Sequence, residues 1–501
     1  MKGLAGAAAL GLALVSGCTV GPDYKRPAAP VPAVFKEAAG WKKAAPEDAA
    51  DRGPWWHIYG EPELDRLEPQ IDVSNQNLKA AEAAYRQARA VVAAAEAQFF
   101  PTLGLTGSAT RSGSGPGSNS GRLAGFSRGG FAQNLFAVSA DASWAPDLWG
   151  KIRRTVESNV ASAQASAAEI ASARLSAQSE LATDYLELRI EDALKRLLDS
   201  TAAAYAQSLE ITKNQFNAGI ATGSDVAQAQ AQLQTTEAQA VNVGVLRAQL
   251  VHAIAILIGK PPAEFSIAAA PRVPGIPVVP AGIPSALLER RPDIAAAERQ
   301  MAAANAQIGV AVAAYYPNVT LSGDYGLQST MLATLFEAKS NIWSFGTNLA
   351  ETVLDFGARA AAVAEAKAAY RQNVASYRQT VLAAFQQVED QFAALRILAE
   401  QQKVQDQAVK SAEEAARLIL NEYKAGTVAY TSVIVAQAAA LADEEAALTV
   451  RQNRLTASVA LIQALGGGWN ARDLPTPAEV KDEAKPSGKQ GAAALSGNNP
   501  H

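Results

Sequence analysis

Cys18 is the only cysteine of the 501-residue chain, and it follows Val15-Ser16-Gly17 at the end of an apolar run from Leu4 to Val15 that opens after Lys2. Small residues before a lone thiol suit a signal peptidase, and a thiol is the nucleophile that accepts a diacylglyceryl group. The run is too short to cross a bilayer as a mature helix. Residues 1–17 are therefore expected to be a signal peptide and Cys18 the lipidated first residue of the mature chain. Thr19 in place of an aspartate after the cysteine favours sorting to the outer membrane.

Other reactive chemistry is scarce. With its one cysteine assigned to lipid, the chain has no stock for disulfides, thiolate metal sites or cysteine catalysis. His57, His252 and His501 are far apart in sequence and offer little stock for a metal site or a Ser-His-Asp triad, each of which needs several groups to converge. His57, within Trp55-Trp56-His57, reads as a packing residue. Met1, Met301 and Met331 form no thioether cluster for copper or silver. A net charge of −4 and the lack of a long basic run argue against nucleic acid. No cofactor and no metal are expected, and an enzyme would have to rely on carboxylates alone.

The elements that carry the remaining residues are long. Glu61 to about Phe99, Gly150–Gly219, Thr222 to about Leu257, Ser285–Tyr315, Gly357–Gly426 and Ala429–Leu465 are rich in Ala, Gln, Glu, Leu and Arg, with almost no interior proline. These segments read as helices. The longest would reach about 100 Å at 1.5 Å per residue, which implies coiled-coil-like packing.

The helices come in two sets. Trp149-Gly150 recurs as Phe356-Gly357, Gln215-Phe216-Asn217-Ala218-Gly219 as Glu422-Tyr423-Lys424-Ala425-Gly426, and Leu257-Ile258-Gly259 as Ala464-Leu465-Gly466. The spacing is constant at 207 positions (357 − 150, 426 − 219 and 466 − 259). One architectural unit is used twice.

Between the helices the period falls to two. Phe136, Val138, Ala140, Ala142 and Trp144 alternate with Ala137, Ser139, Asp141 and Ser143, and Val319, Leu321, Tyr325 and Leu327 alternate with Thr320, Ser322, Asp324 and Gln328. This is the pattern of strands with one apolar and one wet face. Thr102–Thr110 and Asn341–Leu354 complete a hairpin in each repeat, and the tip of the first, residues 112–119, is a loop by composition. Pro101 to Gly150 spans 49 positions (150 − 101) and Pro317 to Gly357 spans 40 (357 − 317), so the first hairpin is nine longer. Apolar-out strands delivered to the outer membrane suggest a β-barrel, but four strands cannot close one and open edges are not tolerated in lipid. Three chains supplying twelve strands are the simplest closed solution.

Several motifs resemble the outer membrane factors of TolC type, NodT lipoprotein branch. They are Cys18-Thr19-Val20-Gly21-Pro22-Asp23-Tyr24-Lys25-Arg26-Pro27, Trp55-Trp56, the run from Ile283 to Glu298 that contains Arg290-Arg291-Pro292-Asp293, Ala303-Ala304-Asn305-Ala306-Gln307-Ile308-Gly309, and Ala464-Leu465-Gly466-Gly467-Gly468-Trp469. The resemblance implies a mixed α and β membrane protein. A homotrimer would build a long α-helical periplasmic barrel continuous with a transmembrane antiparallel β-barrel, four strands per chain. It also implies an efflux duct, with a periplasmic adaptor and an inner-membrane transporter of the resistance-nodulation-division class as partners. The domains expected are a lipidated segment over 18–60, repeats over 61–270 and 283–468 with hairpins at about 101–148 and 317–355, and a disordered tail over 475–501. A type I secretion duct and a periplasmic scaffold lipoprotein are the other readings.

By the same resemblance the periplasmic end is closed where helix tips meet. Asp225, Tyr423, Val428, Thr431 and Val435 are the gate candidates. Asp225 and Tyr423 match residues that are linked in relatives, whereas Val428 replaces an arginine and Val435 an acid, which weakens the expected cation selectivity. Asp225 also reads as a helix cap after the Gly219–Gly223 turn. Pro292 and Asp293 suit the first turn of a helix. Trp41, Trp55 and Trp56 are expected to pack the N-terminal segment against the helices.

Overall fold

A computed structural model describes residues 19–29, 31–32, 34–37, 54–113, 132–277, 279 and 287–484. Helices α1 (Pro62–Ser74) and α2 (Gln76–Ala97) lead into strands β1 (Thr102–Gly113) and β2 (Ala132–Trp144), followed by α3 (Lys151–Asn217) and α4 (Gly223–Leu257). The series returns as α5 (Leu287–Arg290), α6 (Pro292–Ala313), β3 (Asn318–Ser329), β4 (Asn341–Ala350), α7 (Ala358–Lys424) and α8 (Tyr430–Ala464). A short helix, α9 (Pro477–Ala484), ends the described chain. Helices α3 and α7 have 67 residues each, and α4 and α8 have 35 each.

The repeated glycine motif stops both long helices in the same way. Gly219 and Gly426 take φ of 75° and 76°, a left-handed conformation that glycine adopts without a Cβ penalty. The next N–H in each repeat turns back three residues before the helix cap, Ile220 to the Gln215 carbonyl at 2.8 Å and Thr427 to the Glu422 carbonyl at 3.0 Å. These are the paired hydrogen bonds of a Schellman stop.

Two expected helices are broken where the sequence pattern ran on. The segment from Glu61 to Phe99 divides at Asn75, which is extended (φ −63°, ψ 121°) and whose side chain accepts from the Leu78 N–H at 3.0 Å. The segment from Ser285 to Tyr315 divides at Arg291 (φ −103°, ψ 120°), held out of the helical region by Pro292. Strand β4 ends at Ala350, short of the expected Leu354. There Arg359 gathers the turn, with Nη1 on Glu351, Nη2 on the Thr352 carbonyl and Nε on Asp355.

The four strands form one antiparallel sheet in the order β1-β2-β3-β4. Leu105, Ala140, Tyr325 and Trp343 align across it on one face, and Gly104, Asp141, Asp324 and Ser344 on the next row of the other. Leu105 is 80% exposed, Trp343 76% and Phe345 74%. Among the described residues nothing covers this apolar face, and β1 and β4 each have a free edge.

Helix α3 is the spine, packed against α2, α4, α6 and α8, while α7 packs against α6 and α8. The wall thus presents α2 and α4 at one margin and α7 at the other. The core lies at mid-height, around Leu181, Tyr185, Leu188, Ile254, Tyr377 and Phe392. Phe35 meets Phe392 edge-on at 5.6 Å, and Trp55 and Trp56 are buried beside it. Trp41 lies outside the described residues. His57 does not pack as expected; it is more than half exposed and its Nδ1 sits 2.6 Å from Asp65 Oδ1.

The tail is ordered further than its composition suggested. Helix α9 buries Val480 completely against Val92, Ala95, Val156 and Val160, and Glu483 meets Arg89 at 2.9 Å. Val480 fits a slot between α2 and α3, with Ala484 packed against the same cluster. Residues 485–501 lie outside the described part.

Candidate functional site

The wet face of the sheet carries two carboxylates that the register brings together. Asp141 and Asp324 stand directly opposite each other on β2 and β3, and Thr106, from β1, lies within 3.5 Å of Asp141. Like charges in that position destabilise a strand pair, so their place on the sheet is explained by water on that side and not by pairing strength. Alternation had placed both on a wet face; only the register shows that they meet.

At the opposite end, the tips of α3, α4, α7 and α8 are held by an apolar cluster of Leu209, Ala229, Tyr423, Tyr430 and Val433. Tyr423 is buried, donates from its hydroxyl to Thr212 Oγ1 at 3.3 Å, and lies 5.1 Å from the Tyr430 ring. Burial, together with Tyr423 and Tyr205, pushes the Tyr430 hydroxyl up to about 12. Asp225 is occupied elsewhere. Its Oδ2 accepts from the Thr222 N–H and from Thr222 Oγ1, each at 2.8 Å, and its own N–H donates to Thr222 Oγ1 at 3.3 Å. This reciprocal pair is a capping box.

The structure therefore brings Tyr423 together with Thr212 and Tyr430, and does not join it to Asp225 within the chain. Val428 packs against the same cluster. Thr431 and Val435, one turn apart on α8, are exposed on the side away from buried Tyr430 and Val433, Val435 to 69%. Tyr430 and Thr212 escaped sequence reading because neither recurs at the 207-residue spacing; the tyrosine seven residues beyond Tyr423 was the available signal.

At the junction of sheet and helices, the Val20 N–H donates to the Trp149 carbonyl at 3.2 Å, and Arg154 binds the Val20 and Gly21 carbonyls and Asp23. Thr19 lies so close to Gly150 that a Cβ there would sit 2.9 Å from its Cγ2. Cys18 itself lies outside the described residues. Its neighbour is fixed where β2 becomes α3, at the level where an apolar sheet face gives way to polar helices.

A four-stranded sheet with one apolar face and two free edges, continuous with helices of about 100 Å, defines a protomer of a TolC-type channel. Three chains close the β-barrel and extend it as a helical barrel. The chain belongs to the outer membrane efflux protein family, whose profile matches residues 69–260 and 283–467. It is 30% identical over 473 residues to the outer membrane protein OprJ of Pseudomonas aeruginosa, covering 93% of this chain and 96% of that one. It is 28% identical over 459 residues to the probable efflux pump outer membrane protein TtgC of Pseudomonas putida, covering 91% and 94%. Among solved structures, the outer-membrane channel OprN superposes with a TM-score of 0.82 at 29% identity over 90% of this chain and all of that one. The open-state MtrE channel of Neisseria gonorrhoeae gives 0.77 at 25% over 92% and 100%. The protein is an outer membrane efflux channel.

Proposed function

We propose that this chain is the passive outer membrane duct of a tripartite efflux system. In this reading a homotrimer docks a periplasmic adaptor protein and, through it, an inner-membrane transporter of the resistance-nodulation-division class. Small toxic molecules leave through its water-filled lumen. The observation that carries the reading is the sheet: free edges at β1 and β4, apolar side chains on one face and Asp141 and Asp324 on the other. Only closure with further copies removes edges from lipid. The margins of the helical wall support the same closure. Helix α4 is apolar enough to cross a membrane by composition, yet it sits at the margin with Val241 and Val245 exposed, opposite Ile397, Val404 and Leu418 exposed on α7. A neighbouring copy covers both.

Lipidation of Cys18 belongs to this proposal. Thr19 pinned at Trp149-Gly150 supports it, since an acyl chain attached there starts at the membrane surface. At the periplasmic tip the constriction is lined by Thr431 and Val435, with no acidic ring at Val435, and is backed by Tyr423 and Val428, while Asp225 serves as a helix cap.

Light scattering on the detergent-extracted protein, followed by conductance in a planar bilayer, tests the duct. A trimer that conducts supports it; a monomer that stays soluble without detergent after Cys18→Ser would refute it. Radiolabelled palmitate should be incorporated by the wild type and not by Cys18→Ser.

A further inference from the structure

Between α3, α4 and α8, at mid-height of the wall, lies a cavity of about 310 Å³. Its apolar lining includes Leu198 of α3, Val243 of α4 and Leu448 of α8. Into the same space project two carboxylates, Glu191 of α3 and Glu445 of α8, with no lysine or arginine among the lining residues. Glu191 is only 7% exposed and makes no hydrogen bond or ion pair with any described residue. Its helical neighbours behave differently: Asp192, one residue on, is held by Arg189 at 2.8 Å and Arg247 at 2.9 Å.

A buried carboxylate without a partner is costly, and proteins that retain one generally supply its counter-charge from elsewhere. Burial, followed by Glu187 and Asp192, raises the Glu191 carboxyl above its ordinary range, and burial does the same to Glu445.

The cavity lies on the side of α3 that faces away from the outer covering of the wall. The connection after α4 runs across Arg189, Asp192 and Arg196, which bind the Ala268 carbonyl, the Ala270 N–H and the Ala270 carbonyl. Glu191, Leu194 and Leu198 each come two residues after one of these. At 3.6 residues per turn they point about 200° away, to the opposite side of α3. In a closed duct that side is the lumen.

We infer that this cavity is a binding site for a cationic amphiphile, a single positive charge on an apolar body of fragment size, entering from the lumen. The charge lies between Glu191 and Glu445 and the apolar body on Leu198, Val243 and Leu448. The size and mixed lining are those of a small-molecule site. The inference rests on the duct reading for the route by which the ligand arrives.

The test uses the full-length purified trimer and ethidium, a permanent cation with an apolar ring system, with binding read by fluorescence and the same preparation assayed for conductance. Saturable binding of one ethidium per chain is expected. Glu191→Gln should weaken it by about tenfold or more, as expected for losing a charged partner. Glu445→Gln should weaken it too, Leu448→Trp should abolish it by filling the cavity, and Glu210→Gln, exposed further along α3, should leave it unchanged. Since Glu445 is only partly buried and Leu448→Trp tests volume and not charge, the site can be judged even if Glu191→Gln does not assemble. A conducting trimer without saturable binding, or with binding unaffected by Glu445→Gln and Leu448→Trp, overturns the inference and leaves the duct intact. A non-conducting trimer that binds ethidium through Glu191 overturns the duct instead.

Discussion

Asn75 donates from Nδ2 to the Leu257 carbonyl at 2.8 Å, tying the start of α2 to the end of α4. The second repeat makes the same link with a different residue, Arg291 Nη1 to the Ala464 carbonyl at 2.9 Å. Leu257 and Ala464 are 207 positions apart (464 − 257), whereas Asn75 and Arg291 are 216 apart (291 − 75). The difference of nine is the extra length of the first hairpin. At both seams a left-handed glycine permits the approach: a Cβ on Gly259 would lie 2.3 Å from the Ser74 carbonyl oxygen, and one on Gly466 2.0 Å from that of Arg290. Each seam stacks one helix end on another, which keeps the wall continuous without a single unbroken helix.

Removing this joint should loosen the wall. Asn75→Ala deletes both the cap on Leu78 and the donor to Leu257, at a cost of about 1–3 kcal/mol per chain. The melting temperature of the trimer should fall. Asn75→Asp keeps the cap acceptor but not the donor, and should fall between wild type and Asn75→Ala.

The facing carboxylates on β2 and β3 set the charge of the outer part of the lumen, six of them in a trimer. Asp324→Asn should reduce cation selectivity, read as a smaller reversal potential across a salt gradient, and should strengthen the strand pair by about 0.2–1 kcal/mol. An unchanged reversal potential would place this row away from the conduction path.

At the periplasmic tip the tyrosine cluster, and not Asp225, should hold the closed state. Tyr430→Ala is expected to raise leak conductance by opening a gap between α3 and α8. Asp225→Ala should cost about 1 kcal/mol of helix capping and leave leak unchanged. Val435→Asp should raise cation selectivity, measured on the same single channels. A rise in leak with Asp225→Ala would restore it as a gate residue.

Glu68 predicts a pH dependence. It is fully buried on α1 with neither oxygen hydrogen-bonded, and burial, with Asp72 adding to it, raises its carboxyl to about 9. The folded state therefore holds a proton that the unfolded chain releases near its ordinary value of 4.5. Stability contributed by this proton is complete below that value and declines as pH rises toward 9, by roughly 1.4 kcal/mol per pH unit at most. Glu68→Gln should flatten the fall in melting temperature between pH 5 and pH 9; equal slopes for wild type and variant would show that Glu68 does not titrate.

Docking of α9 should matter less to closure than to the seat of the sheet. Val480→Asp puts a charge into the slot formed by Val92 and Val156 and should release α9, read as protease sensitivity of the C-terminal segment. The trimer itself should persist, because the edges that close the barrel belong to β1 and β4.

Local pattern was enough to locate most of the elements. Helix lengths, the 207-residue repeat, the alternation in Phe136–Trp144 and Val319–Leu327, and the glycine stops at Gly219 and Gly426 are all properties of neighbouring residues. Side-chain period and backbone freedom act over a few positions, so they can be read along the chain. The breaks at Asn75 and Arg291, the meeting of Asp141 with Asp324, the use of Asp225 as a cap while Tyr423 turns to Thr212, and the unpartnered Glu191 over a cavity depend on which residue arrives opposite which from another part of the chain. Sequence period sets a face but not a register or a partner. Those were decided only when α3 became the common spine, because a helix packed on several others meets side chains that arrive from distant parts of the chain.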